Sequence, residues 1–437
     1  MNYEQSIDYL YGIPKFTKEP SLMCAERILE ELGSPEKNMR IIHVAGTNGK
    51  GSVCAYISSV IKVSGRKVGL FTSPHLVSME ERIRINGINV SKELFLEAFM
   101  ELKECEDRLK EETGRFSFFE YLFGMAMYCF KKESVEYAVM ETGLGGRLDA
   151  TNAVAKPFVT VITPVSLDHV SVLGDTVSQV AMEKAGIIKK DVPVVFWAEN
   201  PEVKNVIEKV ASEKNSQALP IDKGNYEILQ ISDKSVDFCT HNMYHKNGRY
   251  SVSLATALYQ VENALLSLEA LYYMATKDAK LTDEVIIKGI KEACWQGRFQ
   301  EVAEGVIVDG AHNEAGILSF IEAVSTRESV IDVTKKVLLF AVMGDKDYDK
   351  MIELICKNLE FETVIITRSG GERGMKPEAL VEIFSKNTAP ERLVAIEDWK
   401  EAFEKGRELA AHNKGTLYCV GSLYLVGAVL EEYGGSI

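Results

Sequence analysis

The sequence predicts an α/β protein built on a mostly parallel sheet. Short apolar, β-branched segments alternate with helical patterns in the first half of the chain and again beyond residue 300, which is typical of βαβ units. A glycine-rich segment, AGTNGKGS (45–52), directly follows the first of these strands and precedes a helix. The chain has 437 residues, and about 150 residues per domain predicts two or three domains.

Five strands are expected in the first α/β series. They are RIIHV (40–44), KVGLFT (67–72), EYAVME (136–141), PFVTVIT (157–163) and VPVVFW (192–197). Helices are expected at 53–64, where apolar residues recur on one face, and at 94–112, which is amphipathic and charged. This periodicity is lost over 220–253, which favours antiparallel strands around an Asn247-Gly248 turn.

A second α/β series follows two further helices, expected at 258–276 and 282–293. Its strands are expected at 305–310, 336–343, 363–369, 392–396 and 416–422. The segment CWQGRF separates the two series near residue 296. We therefore predict a P-loop-type α/β domain with a mostly parallel sheet over 1–295 and a smaller, Rossmann-like α/β domain over 296–437.

Composition and charge exclude several classes of partner. The chain is 46% hydrophobic and 26% charged, and its 50 basic and 64 acidic residues give a net charge of -14. Such a chain is poorly suited to nucleic acids or an anionic membrane. The eight cysteines show no CxxC pair and are expected to be reduced, mostly buried thiols of a cytoplasmic protein. Neither a signal peptide nor a membrane span is expected.

The loop after the first strand is a candidate phosphate site, because backbone N–H groups at the start of a helix attract anions. Its candidate contacts are Gly46, Thr47, Asn48, Gly49, Lys50, Gly51 and Ser52. The common pattern GxxxxGK[ST] is not met, since Gly46 and Gly49 are three apart and Gly51 separates Lys50 from Ser52. The alternative is a plain glycine turn that joins a strand to a helix.

Other candidates for chemistry follow predicted strands or lie on a helix. Glu141 ends an apolar strand, so its carboxylate should emerge at the sheet edge where α/β proteins bind ligands, and magnesium prefers such oxygens. His169 also follows a strand, Lys184 lies in a helical stretch, and His312 lies near Asp309 after a strand of the second series. Each has an ordinary alternative as a paired or solvated residue.

An ordered set of motifs resembles the folylpolyglutamate synthase and dihydrofolate synthase family, within the Mur-type ATP-dependent amide ligases. The motifs are HVAGTNGKGS, TSPHL with ERIRING, SFFE, GLGGRLDATN, DHVSVLG with EKAGIIK, WQGRF, DGAHN, GDKD and GSLYLVG. They run from residue 43 to residue 427, and the wider class tolerates the additional glycine of the loop.

The resemblance implies roles for individual residues. The loop would bind ATP, and Lys50, Glu141, His169 and Lys184 would be catalytic. Two magnesium ions are implied, with Ser73, Glu141 and His169 as ligands and a carbamylated Lys184 helping to organise the second ion, and a monovalent cation such as K⁺ is a further expectation. The implied nucleotide contacts outside the loop are Gln260, Asn263, Arg298, Asp309 and His312. The implied contacts to a pterin-bearing substrate are Ser117, Phe118, Phe119, Leu148, Asp149 and Ala150.

The implied reaction converts a folate carboxylate to an acyl phosphate with ATP, after which the amine of L-glutamate displaces phosphate and forms an amide. Tetrahydrofolates are the expected substrates, and addition of glutamate to dihydropteroate stays open. The partners are then folate or dihydropteroate, glutamate and ATP, bound at the junction of two domains of a monomer. The alternatives are a cell-wall Mur peptide ligase, which would need a further domain before residue 46, and a non-catalytic ATP-binding regulator.

Overall fold

The chain folds into two compact units. The computed structural model describes residues 1–14, 21–241, 246–252, 257–331, 333, 335–411 and 415–433. The first unit comprises Met1–Glu227, Phe238–Ser251 and Glu262–Cys294, and the second comprises Ile228–Asp237, Val252–Val261 and Trp295–Ile437. The domain limits 1–295 and 296–437 stay predictions.

An eight-stranded sheet forms the centre of the first unit. Its strands are β1 (Arg40–Ala45), β2 (Val68–Phe71), β3 (Ile83–Ile85), β4 (Ile88–Asn89), β5 (Tyr137–Glu141), β6 (Val159–Ile162), β7 (Val194–Trp197) and β8 (Ala218–Ile221). Their order is β4-β3-β2-β5-β1-β6-β7-β8. All neighbours are parallel except the pairs β2–β3 and β3–β4. The five predicted strands and the parallel sheet are thereby confirmed.

Helices precede, connect and follow these strands. They are α1 (Tyr3–Gly12), α2 (Met23–Glu31), α3 (Lys50–Val63), α4 (Lys92–Thr113), α5 (Phe118–Lys132), α6 (Val170–Leu173), α7 (Val177–Ala185), α8 (Pro201–Glu213), α9 (Tyr259–Ala275) and α10 (Asp283–Glu292). Short 3-10 helices span Pro35–Asn38, Met79–Arg82, Ala150–Ala153 and Lys223–Asn225. Side chains of Ser91, Ser117 and Thr176 accept backbone N–H groups at the starts of α4, α5 and α7, which satisfies donors that no helical bond can reach.

A separate three-stranded sheet contains β9 (Tyr226–Ile231), β10 (Val236–His241) and β11 (Lys246–Val252), in the order β11-β10-β9. The N–H of Ser232 donates to the carbonyl of Ser235 at 2.9 Å, and so short a connection makes β9 and β10 an antiparallel hairpin. The predicted Asn247-Gly248 turn is wrong, because both residues belong to β11. Glycine accepts extended backbone as well as turns, and the actual connection, 242–245, lies outside the described residues.

The second unit contains a six-stranded sheet. Its strands are β12 (Gln300–Ala303), β13 (Val306–Val308), β14 (Lys336–Phe340), β15 (Thr363–Ile366), β16 (Leu393–Ala395) and β17 (Thr416–Val420), in the order β12-β13-β17-β14-β15-β16. Only β12 pairs antiparallel. The helices are α11 (Glu314–Val330), α12 (Tyr348–Asn358), α13 (Pro377–Phe384), α14 (Trp399–Ala411) and α15 (Leu423–Tyr433), with 3-10 turns at Gly371–Arg373 and Pro390–Arg392. The predicted second α/β series is confirmed.

Two observations bear on the predicted setting of the protein. Among the helices of the described ranges, none combines the length and hydropathy that crossing a membrane requires. All eight cysteines are free thiols. Those that are buried are Cys24, Cys54, Cys105, Cys129 and Cys419, which agrees with the expectation that most of them are core residues.

Candidate active site

The carboxyl ends of four neighbouring parallel strands, β2, β5, β1 and β6, meet at one edge of the large sheet. In register, Val44 of β1 lies beside Glu141 of β5, and Ala45 lies beside Ile162 of β6. The glycine-rich loop leaves β1 at this point, so it is flanked by the ends of both neighbours. Adjacent strand ends in a parallel sheet form the crevice where α/β proteins bind ligands.

Two glycines of the loop have positive φ angles and no room for a side chain. Gly46 has φ 149°, and a Cβ there would lie 1.8 Å from Oγ1 of Thr163. Gly49 has φ 87°, and a Cβ there would lie 2.2 Å from Oδ1 of Asn263. Gly49 is also the N-cap residue, directly before α3. The loop is therefore packed between the end of β6 and α9 in a conformation that only glycine supports.

Hydrogen bonds hold the loop in this shape. Oγ1 of Thr163 donates to the carbonyl of Asn48 at 2.7 Å, and the N–H of Thr47 donates to the carbonyl of Pro164 at 3.0 Å. Nζ of Lys184 donates to the carbonyl of Gly46 at 2.7 Å. Because two of the loop carbonyls are engaged from behind, the loop is organised before any ligand arrives. Thr163 lies at the end of a predicted strand and was not among the site residues expected from the sequence.

Lys50 and Glu141 bring a cation and a carboxylate together beside the loop. Nζ of Lys50 donates to the carbonyl of Thr47 at 3.0 Å and lies 3.9 Å from Oε1 of Glu141. The carboxylate of Glu141 is 3% exposed and accepts the N–H of Ser73 at 3.0 Å. Ser52 is 2% exposed, and its hydroxyl has no hydrogen-bond partner within the described structure. A buried carboxylate and an unsatisfied buried hydroxyl are oxygen donors that suit Mg²⁺.

Lys184 lies on α7 behind the loop. It is 3% exposed, and burial, followed by repulsion from Lys50, lowers its pKa to about 7, while Asp168 and Asp149 oppose that shift. A large fraction of its amine is therefore neutral at neutral pH. A neutral amine is a nucleophile, so the environment suits covalent modification of this lysine.

His169 occupies the exposed mouth of the loop after β6. It is the N-cap residue before α6, with φ 50°, and its N–H donates to Oδ1 of Asp168 at 2.9 Å. The imidazole Nε2 lies 4.0 Å from the same oxygen. The structure thus places His169 at the correct edge of the sheet, exposed to solvent, beside an acidic side chain that the sequence analysis did not select.

The predicted substrate aromatics lie on α5 and have different surroundings. Ser117 caps this helix. The Phe118 ring stacks against Tyr11, with centroids 6.5 Å apart, and carries the Arg82 guanidinium 5.3 Å above its centre. The Phe119 ring packs against the backbone of Gly143, where an added Cβ would lie 2.6 Å from the ring. Phe119 therefore faces the glycine-dense loop after β5.

Tyr11 and Arg82, which both contact the Phe118 ring, are linked to each other through His75, a grouping that was not expected from the sequence. Nε of Arg82 donates to Nδ1 of His75 at 2.8 Å, and Tyr11 hydrogen-bonds to Nε2 of His75 at 3.2 Å. These bonds orient the imidazole between a phenol and a guanidinium. His75 and Arg82 lie in the motifs TSPHL and ERIRING, so the signal was present, but nothing in the sequence placed Tyr11 beside them.

Asp149 organises its own loop. Its Oδ2 accepts the N–H groups of Gly143 and Leu144, and its Oδ1 accepts the N–H and hydroxyl of Thr151. Burial raises the pKa of this carboxyl, while the hydrogen bonds oppose the shift. Leu148 is exposed and Ala150 is buried at the start of a 3-10 helix. Asp149 thus fixes the backbone of the loop that carries Leu148.

Asp309 is a buried carboxylate of the second unit. It is 4% exposed and accepts from the N–H of Phe299 at 2.8 Å, the N–H of Ala311 at 2.7 Å and the hydroxyl of Tyr259 at 2.9 Å. Burial raises its pKa, and the charge of Arg298 opposes that shift.

The remaining predicted nucleotide contacts are placed as follows. In the second unit, Nδ1 of His312 hydrogen-bonds to the carbonyl of Gly310 at 2.7 Å, and Gln260 is fully buried near the start of α9. Asn263, in the first unit, is buried against Gly49 of the loop. Asn263 thus lies against the phosphate-loop backbone within the first unit.

Comparison with known proteins agrees with this architecture. Residues 119–271 match the model of the Mur ligase middle domain, and residues 297–423 match that of the Mur ligase glutamate ligase domain. A dihydrofolate synthase/folylpolyglutamate synthase of Bacillus subtilis is 31% identical over 432 residues, which cover 96% of this chain and 98% of the relative. This chain belongs to the folylpolyglutamate synthase and dihydrofolate synthase family. The predicted family is confirmed.

Solved structures of the family superimpose over nearly the whole chain. The Mycobacterium tuberculosis folylpolyglutamate synthase complexed with ADP is 28% identical, with a TM-score of 0.87 over 99% of this chain and 98% of that one. An FPGS–AMPPCP–folate complex is 27% identical, with a TM-score of 0.82 over 99% of both chains. Membership of this family confirms the enzyme class predicted from the motifs and favours it over a cell-wall peptide ligase or a non-catalytic regulator.

Proposed function

We propose that this protein is an ATP-dependent ligase that adds L-glutamate to the glutamate side chain of tetrahydrofolates through an acyl phosphate. The observation that carries the proposal is the approach of Nζ of Lys50 to the buried carboxylate of Glu141, at 3.9 Å, beside a preformed phosphate loop. That arrangement suits the binding of a nucleoside triphosphate and a metal ion at one edge of the sheet. The folate and ATP analogue held by its structural relative support the choice of substrates.

Activation of the folate carboxylate is the first step. N–H groups of the loop from Gly46 to Ser52 bind the phosphates, except that of Thr47, which donates to Pro164, and Lys50 stabilises the charge that spreads over the transferring γ-phosphoryl group. A carboxylate oxygen of the folate attacks this phosphorus, the bond to the β-phosphate oxygen breaks, and ADP leaves. The product is an acyl phosphate whose leaving group is far better than oxide.

Magnesium fits the oxygen donors of this site. Ser52 and Glu141 would hold it, with Ser73 and His169 as further proposed ligands. When bound, magnesium supplies positive charge against the β and γ phosphates. The chain's own contribution is to fix the carboxylate of Glu141 with the N–H of Ser73, so that little reorganisation is needed when the nucleotide binds.

Amide formation is the second step. The amine of L-glutamate attacks the acyl carbon, the bond to the phosphate oxygen breaks, and inorganic phosphate and a proton are released. The reaction needs no covalent enzyme nucleophile, because positioning and charge stabilisation supply the rate. Asp309, Arg298 and His312 are proposed nucleotide contacts, with Gln260 and Asn263. Phe118, Phe119, Leu148 and Ala150, with Ser117 and Asp149, are proposed to line the pterin site.

Carbamylation of Lys184 is part of the proposal. Its neutral amine would attack carbon dioxide, form an N–C bond and lose a proton, which converts a cation into an anion close to the phosphate loop. The pKa of about 7 makes the neutral amine available at physiological pH. The proposal has further parts. They are dihydrofolate synthase activity, a bound K⁺, a monomeric state, a cytoplasmic location and a boundary between the two domains at residue 296.

The decisive experiment measures ADP release that depends on both glutamate and tetrahydrofolate. Lys50→Ala and Glu141→Gln should each abolish it while the circular dichroism and Tm stay those of the wild type. Lys62→Ala is the matched control, because Lys62 is an exposed lysine of the same helix. Full turnover in either site variant would overturn the proposal. Mass spectrometry of products made from dihydropteroate or tetrahydrofolate then separates the two synthase activities.

A further inference from the structure

Three potential metal ligands converge on the small three-stranded sheet. The carboxylate of Glu227, the thiol of Cys239 and the imidazole of His241 each place a ligand atom within 4.8 Å of the others. Glu227 lies on β9, and the other two lie on β10. In the part of the chain that the structure describes, no other three His, Cys, Asp or Glu side chains converge in this way.

The strand pattern explains why these side chains share a face. On β10, Val236, Phe238 and Thr240 are buried, whereas the alternate residues, including Cys239 and His241, point outward and are half-buried or exposed. Successive side chains of a strand alternate between faces, so Cys239 and His241 must lie on the same side. Glu227 is exposed on the neighbouring strand.

The backbone at this face is held in place by a neighbouring turn. Nδ2 of Asn225 donates to the carbonyl of His241 at 3.5 Å, and Oδ1 of Asn225 accepts the N–H of Asp222 at 2.8 Å. The residues before β9 are thereby tied to the end of β10. The two strands that carry the ligands are joined both by the sheet and by this turn, which limits the entropy lost when an ion binds.

The ligand chemistry selects the class of ion. Thiolate, imidazole and carboxylate together suit a borderline cation of the Zn²⁺ class and not Mg²⁺, which takes oxygen ligands alone. Tetrahedral zinc with these bond lengths separates its ligand atoms by about 3.3–3.8 Å, so side-chain rotations that bring the ligand atoms about 1–1.5 Å closer together are enough to close the site. The two anionic ligands neutralise a divalent ion, and the thiol releases one proton on binding.

We propose that Glu227, Cys239 and His241 bind one ion of the Zn²⁺ class, with water in the fourth coordination position. The ion cross-links β9 to β10. It is separate in chemistry from the oxygen-lined candidate active site, and it lies on a sheet that carries none of the proposed catalytic residues. Its occupancy therefore affects the stability of this hairpin first.

Cobalt titration tests the site, because Co²⁺ replaces Zn²⁺ and absorbs in the near ultraviolet when bound by a thiolate. The full-length protein is stripped of metal with a chelator, saturated with Mg²⁺ and titrated with Co²⁺. The wild type should develop one equivalent of the thiolate band. Cys239→Ser should lose the band, and Glu227→Gln and His241→Gln should weaken binding at least about 10-fold.

Cys294→Ser is the matched control, since Cys294 is an exposed cysteine of the same unit, and it should retain the band. Hydrogen exchange gives an independent readout: Zn²⁺ should slow exchange of the β9 and β10 amides in the wild type and in Cys294→Ser, but not in Cys239→Ser. A band that survives Cys239→Ser would overturn the proposal. Wild-type affinity in both Glu227→Gln and His241→Gln would overturn it as well, because the thiol would then bind cobalt alone.

Discussion

Substitution of Gly46 by alanine should disable the phosphate loop by a calculable amount. Gly46 has φ 149°, and its added Cβ would lie 1.8 Å from Oγ1 and 2.9 Å from Cβ of Thr163. A non-glycine residue in this backbone region costs about 1–3 kcal/mol, and overpacking adds about 1–3 kcal/mol. We therefore expect Gly46→Ala to lower the free energy of unfolding of the first unit by roughly 2–6 kcal/mol.

Gly65→Ala separates the cost of the backbone conformation from the cost of overpacking. Gly65 follows the other end of α3 with φ 76°, and a Cβ there meets nothing within 4 Å. It should cost only the backbone term, about 1–2 kcal/mol. A second variant, Thr163→Ala, removes the nearest clashing atom, so the double variant with Gly46→Ala should recover about 0.5–3 kcal/mol relative to the sum of the single effects.

Calorimetry and nucleotide binding together form the assay. One kcal/mol shifts the Tm by about 2–4 °C for a unit of this size, so Gly46→Ala should melt clearly below Gly65→Ala. ATP affinity should fall in Gly46→Ala and stay unchanged in Gly65→Ala. Equal Tm values for Gly46→Ala and Gly65→Ala, with no coupling energy in the double variant, would refute the prediction. The close approach of Thr163 to Gly46 would then contribute nothing to the cost of the added Cβ.

Three further predictions concern other buried groups. Tyr259→Phe removes the hydroxyl that donates to the buried Asp309, which should cost the second unit about 1–3 kcal/mol; an unchanged Tm in calorimetry would contradict this. His43 is buried, and its pKa is lowered by burial and then by Lys189 from 6.5 to about 3. Its stabilising contribution is therefore complete above pH 6.5 and is lost as the pH falls toward 3. Denaturant titrations between pH 6.5 and 3 measure this loss. The free energy of unfolding of His43→Gln should fall less steeply than that of the wild type, by about 1.4 kcal/mol per pH unit. Equal dependence on pH in the two proteins would refute the lowered pKa of His43. Lys184→Arg keeps a long basic side chain but cannot form a carbamate, so kcat for ADP release should fall at least about 10-fold, and turnover equal to the wild type would argue against the modification.

The order of the elements was predictable because strand and helix periodicities are local. All five predicted strands of the large sheet lie where the apolar runs are, and the glycine-rich loop joins β1 to α3. The carboxyl end of a parallel strand is a defined edge, so Glu141 could be assigned to the same edge as the loop. The distance of 3.9 Å between Lys50 and Glu141 shows how close this places them.

Contacts between distant segments were not predictable. Thr163 looked like the last residue of a strand, yet its side chain fills the space over Gly46. Tyr11 lies far from His75 and Arg82 in sequence, and only packing brings it to Phe118. Glu227 and Cys239 have no metal-ligand spacing, because their proximity arises from hairpin pairing and not from a local motif. In each case a single sequence carries no record of the partner.

The pairing of β1 with β5 has a consequence for how mutations act on this enzyme. Val44 and Glu141 are register partners, so the position of the carboxylate is inherited from the main-chain ladder of the core. A slip of one residue would carry Glu141 about 3.3 Å along the sheet and turn its side chain to the opposite face. Substitutions of apolar core residues in either strand can therefore abolish activity by displacing the Glu141 carboxylate. The catalytic side chains would all still be present in such variants.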